Sequence, residues 1–292
     1  MEEKIIEIEN WQDNHKKLNS EMNYDEFMSI VIEMGNHIRI LLILIANIIP
    51  QEVSIRSGYS KKEVFIPGLL SKIFKMYDSM IYHASQDQSD IVNLFARPLI
   101  ESVQTLKFLI QNPEKIRDVQ KSSFMPAVRN YKHLLELQQK QELTKLELGM
   151  LNKIKNSVAS DGFDIDELVQ FNRNDWNKLK PNLKELHTRV EGESIMYDFL
   201  HGNLSRFIHS DWQDIKFNHI NIENEENNLY LANLRHTPIS KAIIPLMTIP
   251  VLDGLLEYLS WKNFDPTKSI YSIVEKMFEI NKNLVLMSNE EF

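Results

Sequence analysis

The sequence predicts an all-α protein: a single multi-helix, bundle-like domain with a small β-hairpin insertion near residues 217–232. Three observations carry this. Only 8 glycines and 10 prolines occur in 292 residues, where average usage gives about 35 of the two together. Turns are therefore scarce and helices long. Hydrophobic residues make up 43% of the chain and recur mostly at helical spacing. Strict alternation is confined to one stretch, where Phe217, His219, Asn221 and Glu223 interleave with Asn218, Ile220 and Ile222 before Leu229-Tyr230-Leu231. Sandwiches and barrels, which need a turn every ten residues or so, are excluded.

The elements follow in order. Residues 3–20 place Ile5, Ile8, Trp11 and Leu18 on one side of an amphipathic helix. Tyr24 to Ile49 reads as a second, more buried helix stopped by Pro50. Its apolar run Ile40–Ile49 is far shorter than the roughly 20 residues of a membrane span, and Glu33, His37 and Arg39 precede it, so a core helix is expected. Residues 51–62 are polar, contain Gly58 and read as a loop. A helix follows from Glu63 to Ser85, disturbed at Pro67-Gly68, and another from Ser89 to Ile110, ended by Asn112-Pro113. Pro113 to Gln141 predicts a long helix or a broken pair with the break at Pro126, and residues 143–159 continue helical. Residues 160–181 read as loop, with Asp161-Gly162 and Pro181. Helices are expected at 182–190 and 194–210. Beyond the hairpin, 237–263 and 267–287 form two more, joined by a turn at Asp265-Pro266. Residues 1–60 are expected to pack on the core as N-terminal helices, and 61–292 to form the main helical domain.

Composition narrows function by exclusion. Net charge is −8, so no global basic field draws in nucleic acid, although a local patch can. Cysteine is absent, which removes thiolate metal sites and thiol nucleophiles. The N-terminus is acidic and no signal peptide is read, so a cytoplasmic location is expected, with no membrane association. Glycine-rich phosphate loops, Rossmann fingerprints and nucleophile elbows do not occur. Nucleotide kinases, dinucleotide oxidoreductases and α/β-hydrolases are excluded with them, and no cofactor is expected.

Three constellations bear chemistry. Arg97 and Glu101 are four residues apart in an apolar setting and share a helical face, so they pair. Pro98 between them disfavours α geometry at Arg97 and predicts a kink that aims the guanidinium. Tyr197, His201, Ser205 and His209 recur every four residues and form one polar stripe, with Arg206 nearby. Histidines, a hydroxyl and a cation suit acid–base work on a phosphodiester. His201 and His209 are too far apart for a zinc pair, and no metal site is expected. The third is a basic and aromatic stretch containing Arg173, Trp176, Lys178 and Lys180, able to stack on and hold RNA. Each has a plain structural alternative: an intrahelical brace, a hydrogen-bonded tie between helices, a solvated helix face.

The segments ARPLIESVQTLKFLI, RNYKHLLEL and YDFLHGNLSRFIHSDW resemble an uncharacterised family of bacterial all-helical proteins. That family pairs an R-x-x-x-E helix with a later helix reading Y, then S-x-x-(V/I)-H. The matching positions are Arg97 and Glu101, then Tyr197, Ser205 and His209; His201 stands where a second tyrosine is expected. The resemblance spans roughly 60–265. A more remote similarity is to HEPN-type helical proteins, many of them metal-independent ribonucleases of toxin and phage-defence systems. Their arginine and histidine stand four to six residues apart, whereas three residues separate Arg129 from His133 and two separate Arg206 from His209. The resemblance implies a bacterial stress or phage-defence protein, ribonuclease-like. In that reading His209 is the acid–base group, Arg97 the phosphate clamp and Glu101 its orienter, with Ser205 and His201 in support and RNA as partner. The alternative is a non-enzymatic interaction module whose polar network is structural and whose partner is a protein or a second copy of the chain.

Overall fold

A computed structural model describes residues 2–18, 22–48, 54, 58–61, 63–140, 142–192, 215, 220–224, 229–233, 235–262 and 265–288. The fold is all-α, as expected. The helices of the described residues are α1 (Glu2–Asn14), α2 (Tyr24–Ala46), α3 (Phe65–Ser85), α4 (Ser89–Gln111), α5 (Ile116–Ser122), α6 (Met125–Gln139), α7 (Lys145–Ser160), α8 (Ile165–Gln170), α9 (Arg173–Leu179), α10 (Leu183–Glu191), α11 (Ile243–Lys262) and α12 (Asp265–Ser288). The hairpin is present as β1 (Ile220–Asn224) antiparallel to β2 (Leu229–Ala232), with Ile222 opposite Tyr230 and a bulge before Asn224.

Two apolar clusters organise these helices. The larger draws on α1 through α5, α10, α11 and α12. Helix α4 is central: Val92, Leu99, Val103, Leu106 and Leu109 are all buried, and α3, α10 and α11 pack on it. Two glycines let helices approach closely. A Cβ added at Gly35 in α2 would collide with the Ile81 side chain of α3, and one at Gly254 in α11 would lie 2.9 Å from Val103 Cγ1. Buried polar groups are tied across the helices: the Tyr77 hydroxyl donates to Thr248 Oγ1 at 2.8 Å, Gln104 bonds His187, and Lys107 pairs with Asp253 and Glu257. The smaller cluster is built by α6 to α9 from Val128, Tyr131, Leu134, Leu151, Val158, Ile165, Leu168 and Trp176.

Helices α2 and α11 are long and apolar enough to cross a membrane by length and composition, and 44% and 56% of their apolar windows are buried within the fold. The Ile40–Ile49 run accordingly supplies core residues: Leu41, Leu42 and Ile45 are buried.

The largest departure from the sequence reading is at 160–181, expected as loop. It contains two short helices. Asp164 accepts from Asp166 N at 2.9 Å and starts α8. Asn172 and Asp175 form a reciprocal capping box that starts α9, satisfying amide groups a short helix otherwise leaves bare. Smaller differences are also local. The N-terminal helix stops at Asn14 rather than near 20. Pro126 lies in the first turn of α6, where its missing N–H costs nothing, so the break falls just before it. Asp265 begins α12 rather than sitting in a turn before it. Helix α4 runs through Pro98 without ending.

Candidate functional site

The Arg97–Glu101 pair forms as the spacing predicts, with Arg97 Nε donating to Glu101 Oε1 at 3.0 Å. Both are partly buried, and each has interactions beyond this pair. Tyr197, His201, Ser205 and His209 lie outside the described residues, and so does the expected 194–210 helix.

Glu101 lies on the wall of a cavity of about 870 Å³ enclosed by α3, α4, α5, α6 and α9. This volume is in the usual small-ligand range of about 300–1,000 Å³. Helix α4 contributes Glu101, Ser102 and Thr105, one helical face because the residues stand at i, i+1 and i+4. Helix α3 contributes Leu69 and Lys72; α5 and its C-cap contribute Val119, Ser122 and Ser123; α9 and its C-cap contribute Trp176, Asn177 and Lys180. Two of the sequence constellations thus share one cavity, through Glu101 on one side and Trp176 and Lys180 on the other. The rest of the basic stretch turns away. Arg173 is exposed, and Lys178 is exposed with a 3.8 Å contact to Asp175.

Electrostatics separate the two lysines. Lys72 is exposed at the rim, whereas Lys180 is half-buried. Burial holds the Lys180 ammonium below the usual lysine range; the Glu101 carboxylate pulls it back up and Lys72 pushes it down. A cation short of water gains more from an anionic ligand than a solvated one does. Trp176 is buried and meets Phe171 edge to face, ring centroids 5.2 Å apart, so its indole is fixed as a wall.

The hydroxyls on the wall share one habit. Ser102 Oγ donates to Pro98 O at 2.7 Å and Thr105 Oγ1 to Glu101 O at 2.8 Å. Ser122 Oγ donates to Val119 O at 2.7 Å and Ser123 Oγ to Gln120 O at 2.6 Å. Each has spent its single hydrogen on its own helix and keeps lone pairs.

Sequence reasoning missed Lys72, Ser102 and Thr105. The i+1 and i+4 positions after Glu101 were the available signal for the two hydroxyls; nothing local marks Lys72, because α3 reaches the cavity only through tertiary packing.

No curated protein and no solved structure matches the chain. Residues 63–228 match the model of a family of unknown function, DUF5677. That span includes the helices that line the cavity, α3 to α6 and α9, and as it covers more than half of the sequence the chain belongs to this family.

Proposed function

We propose that this chain binds RNA phosphate in the α3–α4–α9 cavity and acts as a metal-independent, ribonuclease-like effector of a bacterial stress or phage-defence system, working in the cytoplasm. The observation that carries the reading is the convergence of Glu101, Lys72 and the half-buried Lys180 on one open cavity. Polar groups of opposite sign at a concave, partly desolvated site are how proteins hold and polarise an anionic substrate. In this reading Lys180 and Lys72 hold phosphate, Arg97 clamps it, Glu101 orients Arg97, and His209 transfers the proton with Ser205 and His201 in support.

The test is cleavage of single-stranded RNA by the purified chain in the presence of a chelator. Wild type cleaves. His209→Ala loses about 10²–10⁴-fold in rate, the usual worth of a general acid–base, with its melting temperature nearly unchanged. Lys180→Met weakens RNA binding and flattens its salt dependence, because one phosphate contact is gone. A wild-type chain inert toward RNA, with His209→Ala markedly destabilised, sinks the enzyme reading.

One observation favours a second reading, a non-enzymatic interaction module. Arg97 and Glu101 sit on the same helix and pair with each other there, as a structural brace does. Under that reading Glu101→Gln lowers the melting temperature and leaves no RNA-dependent property to lose.

A further inference from the structure

The wall hydroxyls say which ligand suits the cavity. Ser102, Thr105, Ser122 and Ser123 all donate to backbone carbonyls of their own helices, so toward the cavity they offer acceptors. The Glu101 side chain adds carboxyl oxygens to that wall. The cationic donors are Lys72 and Lys180, and the amides of Gln120, Asn177 and Asn182, which both donate and accept, complete the polar lining. A ligand matched to this lining brings hydrogen-bond donors for the α4 and α5 walls, an anion for the lysines, and an apolar body to lie against Leu69, Val119 and Trp176.

We infer that the cavity receives a single nucleotide whose base carries an exocyclic amino group, the base facing the acceptor wall of α4 and α5 and the phosphate at Lys72 and Lys180. Adenine, cytosine and guanine bring an amine to that wall. Uracil brings one N–H flanked by two carbonyl oxygens, and those oxygens meet lone pairs. Sites that reject an analogue do so by leaving buried polar groups unmatched. The volume of about 870 Å³ suits one nucleotide and excludes a duplex, so the ligand is either a free mononucleotide or an unpaired residue of a strand. This inference rests on the reading of the cavity as the ligand site.

The experiment is calorimetric titration of the full chain with AMP, CMP, GMP, UMP and inorganic phosphate, then with short oligoadenylate and oligouridylate. AMP, CMP and GMP are expected to bind about five- to tenfold more tightly than UMP, the worth of one matched hydrogen bond, and phosphate alone more weakly than any of them. Thr105→Val keeps the side-chain shape and removes the lone pairs, so it narrows the preference, weakening AMP, CMP and GMP and relieving the repulsion that UMP meets. Ser102→Ala is the second probe, and a thermal melt shows that each variant is folded. Tighter binding of oligoadenylate than of AMP identifies the ligand as part of a strand; equal binding identifies it as free. Equal affinity for all four mononucleotides, or binding of none, overturns the inference. The two readings fail separately. RNA cleavage with no base preference leaves the ribonuclease reading standing without this one, and the amino-base preference in a chain inert toward RNA does the reverse.

Discussion

Lys180 and His37 are both ionisable groups that burial pushes toward neutrality, and their different neighbours give different consequences. At Lys180, desolvation and Lys72 lower the ammonium pKa while Glu101 opposes them. Glu101→Gln therefore lowers it further, a change visible as a shifted titration of the dimethylated lysine in ¹³C spectra; an unmoved titration means Glu101 and Lys180 do not share the cavity electrostatically. The folded pKa lies below the unfolded one, so the unfolded chain holds the extra proton between them and stability rises with pH across that window. His37 obeys the same sign at a more accessible pH. It is buried, Trp11 stands 5.2 Å away between ring centroids, and its Nδ1 has no hydrogen-bond partner among the described residues. Burial lowers its pKa; Glu7 and Glu33 pull it up, and Lys4 and His15 push it down. Stability is then lost as pH falls below about 6.5, the unfolded value, by up to about 1.4 kcal/mol per pH unit for one proton. The melting temperature between pH 7 and pH 5 should fall more steeply for wild type than for His37→Leu. Parallel curves for the two would show that His37 is not the group responsible.

Whole helices were more legible in the sequence than the residues that line the cavity. The apolar periodicity of α2, α3, α4 and α12 is long and regular, α11 is apolar nearly all round, and the first strand of the hairpin alternates; these elements announce themselves because many side chains repeat one message. Helices α8 and α9 carry six and seven residues, too few for a period to show. Their signals are caps: Asp164 before α8, and Asn172 followed three residues on by Asp175 before α9. Polar residues that read as loop composition are there the start of a helix. This makes the α9 cap a sensitive position. Asn172→Ala removes the acceptor for Asn174 N and Asp175 N and should cost about 1 kcal/mol. Because α9 holds Trp176 and leads into Lys180, ligand affinity should fall with it. The glycine contacts behave oppositely. Alanine favours a helix over glycine by about 1 kcal/mol, yet Gly254→Ala places a Cβ 2.9 Å from Val103 Cγ1, and overpacking costs about 1–3 kcal/mol. A net loss in a denaturant melt is expected; a gain would mean that α4 and α11 can separate without penalty.

At the scale of the molecule, the two apolar clusters are unequal, and the cavity lies along their seam. The larger is built from nearly all the long helices; the smaller has eight buried side chains on four helices. Helix α5 links the two. Ile116 and Val119 enter the larger cluster, while Arg117 donates to Asp161 O at 2.6 Å and stacks 3.8 Å over the Phe163 ring, and Lys121 pairs with Glu167 at 2.9 Å. Those ties are polar and partly exposed, so they hold the smaller cluster with less free energy than apolar burial gives the larger. The smaller cluster should therefore open first. In native-state hydrogen exchange, amides of α6 to α9 should exchange at a lower opening free energy than those of α3, α4 and α11. A ligand bound between α4 and α9 touches both sides of the seam. It binds the closed form only, so at a hundred times its dissociation constant it should raise the opening free energy of α9 by about 2.7 kcal/mol, and that of α11 by the same amount where α11 exchanges through global unfolding, because that opening also releases the ligand. Uniform exchange across both clusters without ligand would show one cooperative unit. Protection of α9 unchanged by a saturating nucleotide would place the ligand elsewhere than in the seam.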